Sequence, residues 1–170
     1  IYAARVLGAA DWGIFSYAIS LIAIFAIVTD FGVSPLLIRE TARDNESSKK
    51  ENILSTAFFL KMLLLLPAII FIIFFANYLP LLKTITPILG LFALILIFDS
   101  FRQLGFSVIK AMEKMELQAG LYLLTNATIV ITGLFFLSRS PSITSLTYAY
   151  VCGAGIGVFA TLFVLRKQLK

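Results

Sequence analysis

Charged and amide side chains interrupt the long apolar stretches of this sequence at only a few positions, and these residues are its candidates for chemistry. Asp99 and Arg102 are three residues apart, so on a helix they share a face and can pair. In a cavity wall, Arg102 would meet an anionic substrate group as a forked donor. Alternatively, the pair is neutral by itself and only holds helices together. The spacing leaves both interpretations open.

Asp30 and Lys61 are two further charges inside apolar segments. Asp30 lies nine residues before Arg39, about 13 Å along a helix, which places it near the middle of a membrane. It precedes Phe31-Gly32, where the glycine permits a bend in the helix. Asp30 is therefore either a cavity-facing carboxylate at this flexible point or a carboxylate tied to a neighbouring helix. For Lys61 we expect the stem to carry the ammonium back to the cytoplasmic interface, with a place in a substrate cavity as the alternative.

Asn126, Arg39, Arg43 and a glycine pair give weaker signals. Asn126 begins a glycosylation sequon but falls within an apolar run, so we interpret it as a helix–helix hydrogen bond or a polar group of a cavity. Arg39 and Arg43 are expected to cap the inner end of a span, or else to attract a phosphate on entry. Gly153 and Gly157 have the G-x-x-x-G spacing that is typical of closely packed membrane helices.

The composition excludes most enzyme chemistry. The chain has no histidine and one cysteine, Cys152, which excludes internal disulfides, zinc sites and histidine-based catalytic triads. We find no catalytic pair, metal-ligand cluster or phosphate-binding loop in the sequence. It therefore predicts a protein that is not an enzyme and that uses no metal and no cofactor.

The hydrophobic content predicts an all-α, polytopic transmembrane bundle. Hydrophobic residues make up 60% of the 170 residues and charged residues 14%, against about 45–50% and about 25% in soluble domains. Ile1–Gly8 resembles the end of an earlier span, and we expect the chain to be part of a longer protein. Pro67 is expected to kink the second full span. Five stretches are long enough to cross a bilayer: Gly13–Ile38, Ile53–Leu79, Thr86–Lys110, Leu117–Ser138 and Thr144–Leu165.

Loop charges predict the orientation, because lysine and arginine gather on the cytoplasmic side. This also explains the net charge of +5 without nucleic acid. Three basic residues fall on one side: Arg5, Lys83 and Arg139. Nine fall on the other, which we assign to the cytoplasm: Arg39, Arg43, Lys49, Lys50, Lys110, Lys114, Arg166, Lys167 and Lys170.

The order of short motifs resembles the oligosaccharide flippases, the polysaccharide-biosynthesis exporters of the multidrug/oligosaccharidyl-lipid/polysaccharide superfamily. Ala4–Gly8 and Asp11–Ser16 are similar to the family's "R-x-L-G … x-x-G-x-[FY]-[SA]" segment. Thr29–Val33 and Ile38–Arg43 are similar to its "D-F-G … R-E-x-A-R" run into the first cytoplasmic loop. These motifs cover about the first quarter of the chain. Further along, Lys110–Met115 is only partly similar to the family.

The resemblance implies the N-terminal lobe of a two-lobe transporter in the cytoplasmic membrane. Its substrate would be an undecaprenyl-diphosphate-linked oligosaccharide, flipped by alternating access around a midplane site, with H⁺ or Na⁺ as a possible coupling ion. Arg102, Asp99, Asp30, Lys61 and Asn126 are then the candidate substrate-binding residues. One rival is a multidrug and toxic-compound extruder, in which Asp30 or Asp99 would exchange H⁺ or Na⁺ for a cationic drug. Another is a scaffold that transports nothing.

The predicted orientation can be tested by thiol labelling. Single cysteines replace Ser47 and Ser140 in a Cys152→Ser background, and intact cells are treated with a membrane-impermeant reagent. We expect labelling at position 140 and none at position 47, because the loop that follows Arg43 carries the cytoplasmic charges. Labelling at position 47 but not at 140 would reverse the assignment.

Overall fold

The architecture is a bundle of α-helices. The computed structural model describes residues 2–43, 47–76 and 88–168, and these residues form no strand. Five helices in this part of the chain are long and apolar enough to cross a membrane, so the predicted fold class is confirmed. The helices are α1 Tyr2–Asp30, α2 Val33–Arg43, α3 Ser47–Ala76, α4 Leu89–Ala111, α5 Met115–Arg139 and α6 Ile143–Gln168.

The first predicted span, Gly13–Ile38, is wrong at both ends. The structure has a membrane-length helix at Tyr2–Asp30 instead, interrupted at Gly8, whose φ of 82° is not helical. The helix ends at Asp30 because Gly32 adopts a φ of 83°, a conformation that a residue with a side chain rarely takes. Val33–Arg43 then forms the separate helix α2. The expected bend at Phe31-Gly32 is thus a complete break between two helices.

The later spans agree with their predicted positions. The membrane-length segments are Asn52–Phe74 of α3, Leu89–Ala111, Met115–Arg139 and Ile143–Lys167. The expected ends at Leu79 and Thr86 lie outside the described residues. The chain stays helical through Pro67.

Buried apolar side chains form two separate cores, one above the other along the bundle. The core that contains α1 residues, which we call the α1 core, consists of Phe15, Ala18, Ile22, Ala26, Leu65, Ala68, Leu89, Phe92, Ile95, Leu96, Leu137 and Leu146. The α2 core consists of Val33, Leu37, Ala57, Leu104, Phe106, Val108, Ile109, Leu121 and Leu165. Both cores draw on α3, α4, α5 and α6. The break at Phe31-Gly32 therefore separates the part of the chain that packs in one core from the part that packs in the other.

Glycines allow α6 to lie close to both α4 and α5. A Cβ added at Gly153 would approach the backbone nitrogen of Ile129 in α5 to 3.1 Å, and one added at Gly155 would meet Phe98 of α4 at 3.3 Å. A Cβ at Gly157 would collide with Thr125 of α5. The close packing predicted for the Gly153/Gly157 pair is confirmed, and it fixes α6 between its two neighbours.

Gly153 and Gly120 provide a matched test of this packing. We expect Gly153→Ala to lower the thermal unfolding midpoint, because the new methyl group meets the Ile129 backbone and the helices must separate. Gly120→Ala in α5 should leave the midpoint unchanged or raise it, since no atom lies within 4 Å of the added Cβ and alanine favours helix by about 1 kcal/mol. Equal midpoints for the two variants would contradict the close contact.

Candidate functional site

Polar side chains occupy the level between the two cores. Along α3, Lys61 lies between Ala57 of the α2 core and Leu65 of the α1 core. Along α4, residues 99–103 lie between Leu96 and Leu104, which belong to different cores. We call this level the polar layer; it contains Thr29, Asp30, Lys61, Asp99, Ser100, Arg102, Gln103 and Thr125. Four helices contribute to it, so the candidate site is built by the fold and not by one segment.

An ion pair between α1 and α3 forms one side of the polar layer. Lys61 Nζ donates to Asp30 Oδ1 at 2.7 Å, and the same oxygen accepts a hydrogen bond from Ser34 Oγ at 2.7 Å. The Lys61 side chain is 1% exposed and that of Asp30 is 21% exposed. The expectation that Lys61 reaches the interface is therefore wrong. Its ammonium instead pairs with the Asp30 carboxylate on another helix. Without this partner the buried positive charge would be costly.

A second cluster lies entirely on α4. Arg102 pairs with Asp99 Oδ1, as their spacing predicts, and Gln103 Nε2 donates to Asp99 Oδ2 at 3.1 Å. Both oxygens of the carboxylate thus have a donor on the next turn of the helix. Sequence reasoning missed Gln103, although its i,i+4 spacing from Asp99 is a recognised signal for a side-chain hydrogen bond.

The surroundings of Arg102 hold its side chain but leave it incompletely bonded. The guanidinium carbon lies 5.2 Å from the centre of the Phe106 ring, within the range of a cation–π contact. The Cδ atom of Arg102 packs against α6, 3.3 Å from the position that a Cβ at Gly157 would take. Arg102 Nε is buried, and no hydrogen-bond partner for it exists among the described residues. An arginine with unused donor capacity in a weakly polar environment is suited to hold an anion.

The remaining predicted site residues lie apart from these pairs. Asn126 is exposed and donates to the Tyr122 carbonyl of its own helix at 2.8 Å, so the predicted hydrogen bond to another helix is wrong for the described residues. Arg39 is 73% exposed and lies 3.6 Å from Glu40, and Arg43 is the last residue of α2. Both arginines are consistent with capping the helix end, and no hydrogen bond or ion pair between described residues connects them to the polar layer.

Ser100 is a polar-layer residue that sequence reasoning did not single out. It is 1% exposed, and its hydroxyl has no partner among the described residues. Other buried hydroxyls in the layer bond to their own helix, as Thr125 does to the Leu121 carbonyl at 2.8 Å. No sequence signal distinguishes Ser100, because burial without a partner is a property of the packing.

Comparison with known proteins extends the resemblance over the whole sequence. A family model described as "polysaccharide biosynthesis protein" matches residues 1–170. No curated protein and no solved structure matches the chain.

The unequal burial of Asp30 and Lys61 predicts an order of stability. Asp30→Asn should be the most destabilising change, by about 3–5 kcal/mol, because it leaves a buried ammonium without its counter-charge. Lys61→Met should cost less, since the remaining carboxylate keeps Ser34 and is partly exposed. The double variant Asp30→Asn/Lys61→Met should recover most of the loss, as no buried charge remains. Thermal unfolding midpoints measure the order.

Asp11→Asn is the matched control, because it makes the same chemical change outside the polar layer and should unfold near the wild-type temperature. If Asp30→Asn and the double variant lose the same stability, the ammonium of Lys61 does not depend on Asp30.

Proposed function

We propose, from the premise that the chain belongs to the polysaccharide biosynthesis protein family, that it forms part of a transporter for a lipid-linked oligosaccharide. The substrate would be an undecaprenyl-diphosphate-linked glycan, moved across the cytoplasmic membrane for surface polysaccharide synthesis. The five membrane-length helices support a multi-pass membrane protein. Alternating access around a site at mid-membrane suits a polar layer between two apolar cores.

Arg102 is the observation that carries this proposal. It lies at the level between the two cores, and its side chain is 15% exposed. One of its nitrogens is buried and has no partner within residues 2–43, 47–76 and 88–168. A diphosphate offers several oxygens to a guanidinium, and two parallel hydrogen bonds are stronger than one. The buried surroundings strengthen this attraction relative to water.

Asp99 makes the proposed binding reversible. In the absence of substrate, the Asp99 carboxylate neutralises Arg102, so the arginine is not an uncompensated charge. A diphosphate would compete with Asp99 for the same donors, and Gln103 would continue to hold the displaced carboxylate through Oδ2. Binding therefore exchanges one anionic partner for another, which keeps the net cost of occupying and vacating the site low.

Charge pairing favours an anionic substrate over a cationic drug. Both carboxylates of the polar layer already have a cationic partner in the described residues, Lys61 for Asp30 and Arg102 for Asp99. A cation would have to displace a tethered ammonium or guanidinium from one of them. An anion would instead take the place of Asp99 at Arg102, without displacing a cation.

The test is surface polysaccharide export by full-length variants present at normal protein levels. Arg102→Ala should reduce export about tenfold or more, because charge-assisted hydrogen bonds contribute about 1.5–3 kcal/mol each. Arg102→Lys should retain part of the export, since a lysine keeps the charge but loses the fork. Asp99→Asn/Arg102→Gln should also lose export, although it leaves no unpaired buried charge.

Arg139→Gln is the matched control for these variants. Arg139 also stacks on an aromatic ring, 5.1 Å from the centre of Phe135, but it lies at the end of α5 and its loss should leave export unchanged. Wild-type export by Asp99→Asn/Arg102→Gln would show that the pair is only structural and would refute a substrate-binding role for Arg102.

A further inference from the structure

The break between α1 and α2 is bridged by a single carboxylate oxygen. Asp30 is the last residue of α1, and its Oδ1 accepts one hydrogen bond from Ser34 in the first turn of α2 and one from Lys61 in α3. Three helices therefore meet at one atom. The two residues of the break pack loosely: Phe31 is 84% exposed, and apart from its chain neighbours no described atom lies within 4 Å of a Cβ added at Gly32.

The two sides of the break are held by different parts of the molecule. Ala26 of α1 packs in the α1 core, whereas Val33 and Leu37 of α2 pack in the α2 core. Gly32, at a φ of 83°, is free of the steric restrictions that keep other residues near a single backbone conformation. The apolar contacts thus hold α1 and α2 in different cores, and the polar contacts of Asp30 with Ser34 and Lys61 join the helices where the two cores meet.

The Asp30–Lys61 pair is suited to join them because the Lys61 ammonium, if it lost Asp30, would be a buried charge without a counter-charge. At 1% exposure, the ammonium cannot reach water without a movement of α3 or of the end of α1. The carboxylate, by contrast, borders an open depression of about 480 Å³ lined by Ile27, Asp30, Phe31, Gly32 and Pro35. The pair is therefore closed in the described structure while its acidic member remains accessible from outside the bundle.

We propose that the Asp30–Lys61 ion pair is a latch that sets the angle between α1 and α2, and that Gly32 is the hinge about which α2 turns when the latch opens. Because Val33 and Leu37 of α2 pack in the α2 core, rotation of α2 would move these two side chains against the other members of that core, next to the polar layer. This assigns Asp30 and Lys61 a conformational role that is separate from anion binding at Arg102. It does not depend on the identity of the substrate.

The latch can be tested by measuring the distance between α1 and α2. Spin labels are placed at Ser20→Cys in α1 and Arg39→Cys in α2, both exposed positions. A continuous helix over these 19 residues would span about 28 Å. The measurement uses the full-length protein in lipid nanodiscs, with Cys152→Ser and no other reactive cysteine. With the ion pair intact, we expect one narrow distance distribution.

The double variant Asp30→Asn/Lys61→Met decides the proposal, since it removes the latch without leaving a buried charge. We expect it to give a second distance population or a broadened distribution, and the charge exchange Asp30→Lys/Lys61→Asp to bring back a narrower one. The corresponding double change Asp99→Asn/Arg102→Gln should leave the distribution narrow, because both residues lie on α4. A narrow, unshifted distribution in Asp30→Asn/Lys61→Met would overturn the latch, whatever the outcome of the export assay.

Discussion

The arrangement of this bundle depends on the burial of one ammonium group. Lys61 is 1% exposed, and a lysine at that depth in a membrane protein requires a counter-charge. Asp30 supplies it, and to do so the end of α1 must lie against the middle of α3. This single requirement fixes where the α1 core stops and the α2 core begins, because apolar side chains cannot fill the level at which two charges meet. The polar groups of α4 and α5 lie at the same level along the bundle.

The sequence is informative about the features that depend on local order. Continuous apolar runs predict the spans, and the three-residue spacing predicts the Asp99–Arg102 pair, because both depend on helical geometry alone. The end of α1 was misplaced because Val33–Ile38 continues the apolar run of the preceding residues, and hydropathy does not detect a change of backbone direction. Gly32 was the available signal, and it marks the break itself.

Contacts between different helices are harder to predict from the sequence. Asp30 and Lys61 are 31 residues apart, and no periodicity connects residues on different helices. Lys61 was expected at the interface because the local direction of its stem favours that position; the packing of α1 against α3 prevails over this preference. For Asn126 the sequence predicts a hydrogen bond to another helix or a polar group of a cavity, yet its amide donates to a carbonyl on the preceding turn of its own helix. The partner that a polar side chain takes depends on which groups the neighbouring helices place beside it, and this is known only once the helices are packed together.

The two ion pairs differ in a way that suits them to different tasks. Asp99 and Arg102 lie on the same helix, so this pair opens by rotation of side chains, and a ligand can replace one partner while the backbone stays in place. Asp30 and Lys61 lie on different helices, so their pair cannot open without a change in the packing of those helices. The chemistry of the cations matches this division. A guanidinium offers a planar fork to phosphate oxygens, whereas an ammonium is a compact charge that binds tightly to one carboxylate. In the proposed mechanism, the polar layer combines a pair that exchanges partners with a pair that controls the position of a helix.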